Sequence, residues 1–242
     1  MKLGSGELTN APILLAAARS GLPLLVSTGM ATLTDVEAAL GALSFGHASP
    51  SATPSRAGFA AAWASPASRA WVQSNVTLLH CTTEYPSPAE ESNLRAIDTM
   101  RERFGIACGY SDHTVGNAVC LAAVALGAVA IEKHVTLDRN LPGPDHKASI
   151  EPDELKRLVH GIRIVEAALG DGIKTPVASE LSNMAVARKS IVAATPIAKG
   201  ERITAKHLAV KRPGIGRSPF ELWDVIGTLA SRDYDVDDLI SE

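Results

Sequence analysis

At 242 residues the chain is long enough for one large domain or two. With 46% hydrophobic and 20% charged residues it has an ordinary globular composition, and it holds no apolar run of about 18 residues, which excludes a helix that spans a membrane. A formal net charge of −3 gives neither nucleic acid nor an anionic membrane a reason to bind, so local cations must meet any anionic substrate.

The first elements are short. Lys2 to Gly6 reads as the end of a strand running into a Gly-Ser loop, with almost no strand before it. No apolar h-region follows, so no signal peptide is expected. A helix comes next, with Asn10 as N-cap and Pro12 in its first turn, and it stops at Gly21. Leu24–Ser27 is a buried strand. Thr34-x-x-Glu37 has the form of a capping box and opens the next helix.

From Gly41 to about Ser74 the chain is rich in Ala, Ser, Pro and Gly. It reads as a solvated surface excursion rather than a lid, with short helices at Ser55–Trp63 and Ser68–Val72. Val76–Cys81 is the next strand, ending in the polar loop Thr82–Pro86. A helix is expected from Glu90 to Phe104. Gly105–Gly109 leads into Ser111-Asp112-His113-Thr114, Val115–Ala128 reads as a helix, and Ala128–Val135 carries the second histidine, His134. A loop, Leu137–Ser149, precedes a helix from Pro152 to Leu169, whose Leu155, Leu158, Val159, Ile162 and Val165 fall at helical spacing.

This is a βα unit repeated five times, which means a parallel sheet, either an open doubly wound one or an incomplete barrel. After Gly170 the texture changes. Residues 171–187 read as a polar linker, and 188–242 as a small β-rich domain with pieces at Ser190–Ala194 and Leu208–Val210. A domain that small has a modest core. Cys81, Cys108 and Cys120 lack the paired spacing of a zinc knuckle and read as buried, reduced thiols of a cytoplasmic protein.

His113 and His134 each stand where a strand gives out. Consecutive parallel strands joined by one helix lie side by side, which puts both rings on the carboxyl rim of the sheet. Two imidazoles converging there point to a divalent metal with open positions. The plain alternative is a pair of hydrogen-bonded histidines. Glu132 and His134 share a strand face by the period of two, so Glu132 is either an orienting partner of the metal site or an ion-pair partner.

Seven motifs follow one another in order. They are Lys2-x-Gly4-Ser5-Gly6-Glu7, Ser27-Thr28-Gly29-Met30, His80-Cys81-Thr82-x-x-Tyr85-Pro86, Ser111-Asp112-His113-Thr114, Glu132-Lys133-His134, Pro142-Gly143-Pro144-Asp145 and Lys211-Arg212-Pro213-Gly214. In this order they resemble the sialic acid synthase family, which builds nonulosonic acids from phosphoenolpyruvate and an N-acetylmannosamine-type sugar. The resemblance implies a (β/α)₈ barrel followed by a SAF (antifreeze-like) domain. The resemblance also implies about three further βα units before the strand that Lys2 ends. The chain is then expected to match the C-terminal two-thirds of a synthase, either as a truncation, which the strand stub favours, or as a degenerate relative.

The same resemblance implies that His113 and His134 bind the metal, Mn²⁺ first, with Mg²⁺ or Co²⁺ as alternatives. The cation would polarise the sugar aldehyde, C3 of phosphoenolpyruvate would attack it, water would add at C2, and phosphate would leave with C–O cleavage. Lys2, Ser5, Ser27 and Ser111 match positions that hold phosphoenolpyruvate; on their own Lys2 would read as a solvated lysine, and Ser5 or Ser27 as a turn or cap residue. Tyr85 matches a sugar-facing position, and Asp145 would bond sugar hydroxyls unless it is simply a loop aspartate. Thr83 falls where some relatives have Asn, which opens a second reading, a 2,4-diacetamido-trideoxymannose substrate and a legionaminate product. Arg212 would reach the sugar's acetamido group in the other subunit of a domain-swapped homodimer; otherwise it is a turn arginine. Two further readings stay open: a non-catalytic fragment retained for binding or dimerisation, and an ice-binding C-terminal module.

Overall fold

Short, Leu- and Val-rich strands alternating with helices give a parallel sheet in the first of two units into which the chain divides, Met1–Asp171 and the stretch from Gly172 onward. The structure is a computed structural model and describes residues 1–241. The first unit runs β1 (Lys2–Leu3), α1 (Ala11–Arg19), β2 (Leu24–Ser27), α2 (Leu33–Ala48), α3 (Arg56–Ala64), α4 (Pro66–Asn75), β3 (Val76–Cys81), α5 (Ala96–Phe104), β4 (Cys108–Asp112), α6 (Ala118–Ala125), β5 (Ile131–Lys133) and α7 (Pro152–Leu169). All five strands are parallel and paired in sequence order. The sheet is half a barrel. It curls until Lys2, on one edge strand, reaches Glu132 on the other.

Register sorts the strand residues into two faces. Lys2, Leu25 and Thr77 stand in line, as do Ser27, Leu79 and Gly109, and then Cys81, Ser111 and Glu132; these rows share the concave face. The alternate rows, Leu3–Val26–Leu78–Cys108 and His80–Tyr110–Ile131, face the helices. Leu3, Val26, Leu78, Cys108 and Tyr110 are buried there in one core with Leu14, Leu40, Leu43, Trp63, Val72, Ile97, Met100 and Phe104. The apolar rows of the strands thus hold the helices, and the polar rows are left for the inside.

Several local expectations need correction. The capping box of α2 is Thr32 with Asp35, not Thr34 with Glu37: the Thr32 hydroxyl accepts the Asp35 N–H, and Asp35 accepts the Thr32 N–H at 2.9 Å. The solvated excursion expected over 41–74 is instead a packed layer. α2 continues through it to Ala48, and Leu43, Phe45, Trp63 and Val72 are buried. Its polar, Ala-rich look hides a close helix contact, because a Cβ on Gly46 would meet the Leu15 carbonyl oxygen and the Ala18 Cβ at 3.0 Å each. α5 begins at Ala96 rather than Glu90, because the chain first makes a 3-10 turn at Ala89–Glu91 and Asn93 takes a left-handed φ of 39°. α6 spans Ala118–Ala125, well inside the range expected.

In the second unit, α8 (Ala178–Ala187) occupies much of the stretch expected as linker. β6 (Ser190–Ala193) and β7 (Leu208–Lys211) pair antiparallel, and α9 (Leu222–Val225) follows. Ile191, Ala193, Ile197, Ile203, Val225, Ala230, Tyr234 and Ile240 make its small core. Among the described residues no helix is long and apolar enough to cross a membrane.

Candidate active site

The polar rows of the concave face meet at the carboxyl rim. Ser5 sits in the 3-10 turn Ser5–Glu7 just after β1. Its Oγ accepts the Gly29 N–H at 3.0 Å and lies 3.1 Å from Cys81 Sγ. This convergence needs a glycine, since a Cβ at position 29 would come within 2.7 Å of Ser5 Oγ and closer still to Thr83 Oγ1. Lys2 Nζ is 3.2 Å from Glu132 Oε1, and the Ser111 hydroxyl donates to the same oxygen at 2.7 Å. Ser27 is buried, and among the described residues its Oγ has no hydrogen-bond partner. Such a group costs free energy unless something else meets it. An ammonium and three hydroxyls on one face match what an anion with several oxygens needs.

His113 follows β4 and His134 follows β5, and the pairing of Asp112 with Lys133 sets the two positions side by side. Their ring centres are 5.4 Å apart, with the planes at 69°. Tyr85 closes the group at 4.1 Å from His113 and 5.3 Å from His134. His113 Nδ1 lies 2.6 Å from the Thr82 carbonyl oxygen. A carbonyl only accepts, so Nδ1 carries the hydrogen and Nε2 keeps its lone pair. Burial holds the His113 imidazole below its usual pKa; the bond to Thr82 offsets part of this, and neighbouring His134 adds to the lowering. A neutral imidazole with a free Nε2 is the form that binds a divalent cation.

The donor set fits such a cation in one specific way. Among the described residues no cluster of three His, Cys, Asp or Glu side chains could enclose a metal. Two imidazoles would hold it and leave the other positions to water or substrate. Asp145 stands at the margin, its Oδ2 3.9 Å from His134 Nδ1, too far for a hydrogen bond.

Lys2, Ser5, Ser27, Ser111, Glu132, His113 and His134 therefore share one face, with Tyr85 and the exposed Thr83 on the loop after β3 and Asp145 on the loop after β5. Glu132 spends its carboxylate on Lys2 and Ser111 rather than on a histidine, and the backbone carbonyl of Thr82 takes the orienting place expected of it. Arg212 belongs to the second unit, where its Nε donates to the Ala187 carbonyl at 3.0 Å.

Two features of the site had no counterpart in the sequence reading. Cys81 lies beside Ser5. On the opposite face Lys133 and Asp112 form a fully buried ion pair of 2.6 Å. The available signal for the second was an acid and a base, each one residue before a histidine.

Comparison with known proteins adds to this geometry. The NeuB family profile matches residues 1–174, and that of the SAF domain matches residues 188–240. The chain is 44% identical to the N,N'-diacetyllegionaminic acid synthase of Campylobacter jejuni, over 100% of its own length and 65% of that protein's. It is 38% identical to the Legionella pneumophila enzyme of the same name, over 96% of its own length and 59% of the other's. The solved N-acetylneuraminic acid synthetase of Leptospira borgpetersenii, in complex with citrate, superposes with a TM-score of 0.58 at 35% identity, covering 76% of this chain and 55% of that one. The chain thus spans under two-thirds of the length of these relatives.

Proposed function

The chain belongs to the NeuB family, and from that premise we propose that it carries out the condensation of phosphoenolpyruvate with an N-acetylmannosamine-type sugar, giving a nonulosonic acid and phosphate. The observation that carries this reading is the meeting of two imidazoles, 5.4 Å apart, with an ammonium and several hydroxyls on one sheet face.

The roles follow from the side chains. Lys2 offers a point charge to the phosphate. Its present partner, Glu132, is about as exposed as Lys2 itself, and an ion pair in contact with water is weak enough to be exchanged for a substrate anion. Ser5, Ser111 and the unpartnered hydroxyl of Ser27 complete the anion cradle. His113, held by the Thr82 carbonyl, and His134 would bind a divalent cation, with Mn²⁺ as our choice and Mg²⁺ or Co²⁺ as alternatives. When bound, the cation supplies Lewis acidity for the sugar's aldehyde oxygen. Tyr85 and Asp145 border the space a sugar would fill, with Thr83 nearby.

A specific observation favours a legionaminate-type sugar over N-acetylmannosamine: two of the relatives above are named as N,N'-diacetyllegionaminic acid synthases. We further infer a cytoplasmic enzyme, which three buried free thiols suit. We infer also a domain-swapped homodimer in which Arg212 of one copy serves the sugar site of the other.

The test is phosphate release from phosphoenolpyruvate with Mn²⁺ and either N-acetylmannosamine or 2,4-diacetamido-trideoxymannose. Release with the diacetamido sugar, and less with the other, is the expected result. A folded sample that releases none with either sugar contradicts catalysis and favours a binding or dimerisation role.

A further inference from the structure

We propose that the buried Asp112–Lys133 ion pair is a positioning device that holds His113 and His134 where they can share one cation. The proposal rests on the metal reading of the site.

The pair lies on the helix-facing side of β4 and β5, away from the substrate face. Its side chains are 0% and 3% exposed, and Lys133 Nζ is 2.6 Å from Asp112 Oδ2. The same ammonium donates to the Thr114 carbonyl at 2.7 Å. The cation one residue before His134 is thus gripped by the residues immediately before and after His113. Asp112 is fixed in turn. Its Oδ1 accepts the Thr114 N–H at 2.9 Å, and its Oδ2 accepts the Cys120 thiol of α6 at 2.9 Å. By contrast the nearest acid to the His134 ring is Asp145, at 3.9 Å. That ring touches the Tyr85 and His113 rings, and its backbone is held on one side by the Ile150 N–H donated to the His134 carbonyl at 2.9 Å and on the other by Lys133, which ties it to the backbone around His113.

Stability alone is a poor reason for such a pair. Taking two charges out of water costs most of what their attraction returns, and neutral replacements of like volume are often as stable. What an apolar contact would not supply is direction. A charged pair with four short, angled hydrogen bonds fixes both the spacing and the twist of the strand ends.

The test is the double substitution Asp112→Asn with Lys133→Met in the whole chain, which removes both charges and leaves an amide carbonyl at position 112 to accept the Thr114 N–H. Mn²⁺ binding is read by electron paramagnetic resonance, and the imidazole signals of His113 and His134, displaced in the parent by the Tyr85 ring, by NMR without metal. The variant is expected to keep its circular dichroism and cooperative melting, to bind Mn²⁺ about tenfold or more weakly, and to lose the ring-current displacement. Mn²⁺ affinity within about twofold of the parent, with unmoved imidazole signals, overturns the proposal. If that variant does not fold, Asp112→Asn with Lys133→Gln keeps a second amide in reach of the first and is read in the same way. If the parent itself takes up no Mn²⁺, the metal reading fails, and the metal-free imidazole signals decide the positioning claim alone.

Discussion

The two faces of this sheet each carry one ion pair, and they are built to opposite ends. On the concave face Lys2 and Glu132 join the two edge strands at 3.2 Å, both about one-third exposed. On the helix-facing side Lys133 and Asp112 join neighbouring strands at 2.6 Å, almost wholly out of water. A pair in contact with water is cheap to open and can hand its cation to a ligand. A buried pair cannot open without stranding a charge, so it holds geometry. One strand, β5, supplies the acid of the first pair and the base of the second from adjacent residues.

The largest effect should come from breaking the buried pair on one side only. Asp112→Ala leaves Lys133 charged and without its counterion, and should cost about 3–5 kcal/mol of unfolding free energy in urea titrations. Lys2→Met should cost under about 1 kcal/mol yet abolish measurable phosphoenolpyruvate binding by calorimetry. Comparable losses of stability in the two variants would erase the distinction between the faces. Ser27→Ala deletes a buried hydroxyl that has no partner among the described residues, so stability should hold or rise slightly while phosphoenolpyruvate binds less well.

The smallest effect concerns His80, on the helix-facing side with its Nε2 2.8 Å from the Ser92 carbonyl. Burial lowers its pKa below the usual 6.5, partly offset by the backbone bonds. Well above its ordinary pKa of 6.5 the ring is neutral in both folded and unfolded chains and contributes no pH dependence. As pH falls below that value the unfolded chain takes up a proton first, and stability drops until the folded pKa is passed. His80→Asn should therefore flatten the decline of melting temperature on the acid side. An unchanged slope would show that this face carries no such strain.

What the residues disclosed in advance, and what they withheld, follows the same division. Leu24–Ser27, Val76–Cys81 and Pro152–Leu169 were legible to the residue, because apolar runs and a helical stripe with a proline at its start carry their own boundaries. The concave face was legible through its motifs, since Ser111 and His113, and Glu132 and His134, stand at alternate positions at the ends of β4 and β5, each histidine one residue past its strand. The packed layer over 41–74 was not, because α2 is buried continuously from Ala39 to Gly46, large and small residues alike, which leaves no hydrophobic period. Nor was the Asp112–Lys133 pair, which depends on the register of β4 against β5, a property of the folded sheet that no single strand encodes. The capping box lay two residues away because Thr32-x-x-Asp35 and Thr34-x-x-Glu37 offer similar chemistry, and it is Thr32 that takes the extended N-cap conformation, with φ −85° and ψ 167°.

The account turns on one shared cation. Mn²⁺ titration of the parent chain, His113→Ala and His134→Ala, followed by electron paramagnetic resonance, tests it most directly. One bound ion per parent chain, lost in both variants, is the result predicted. An ion that survives either substitution, or a parent chain that binds none, would contradict it.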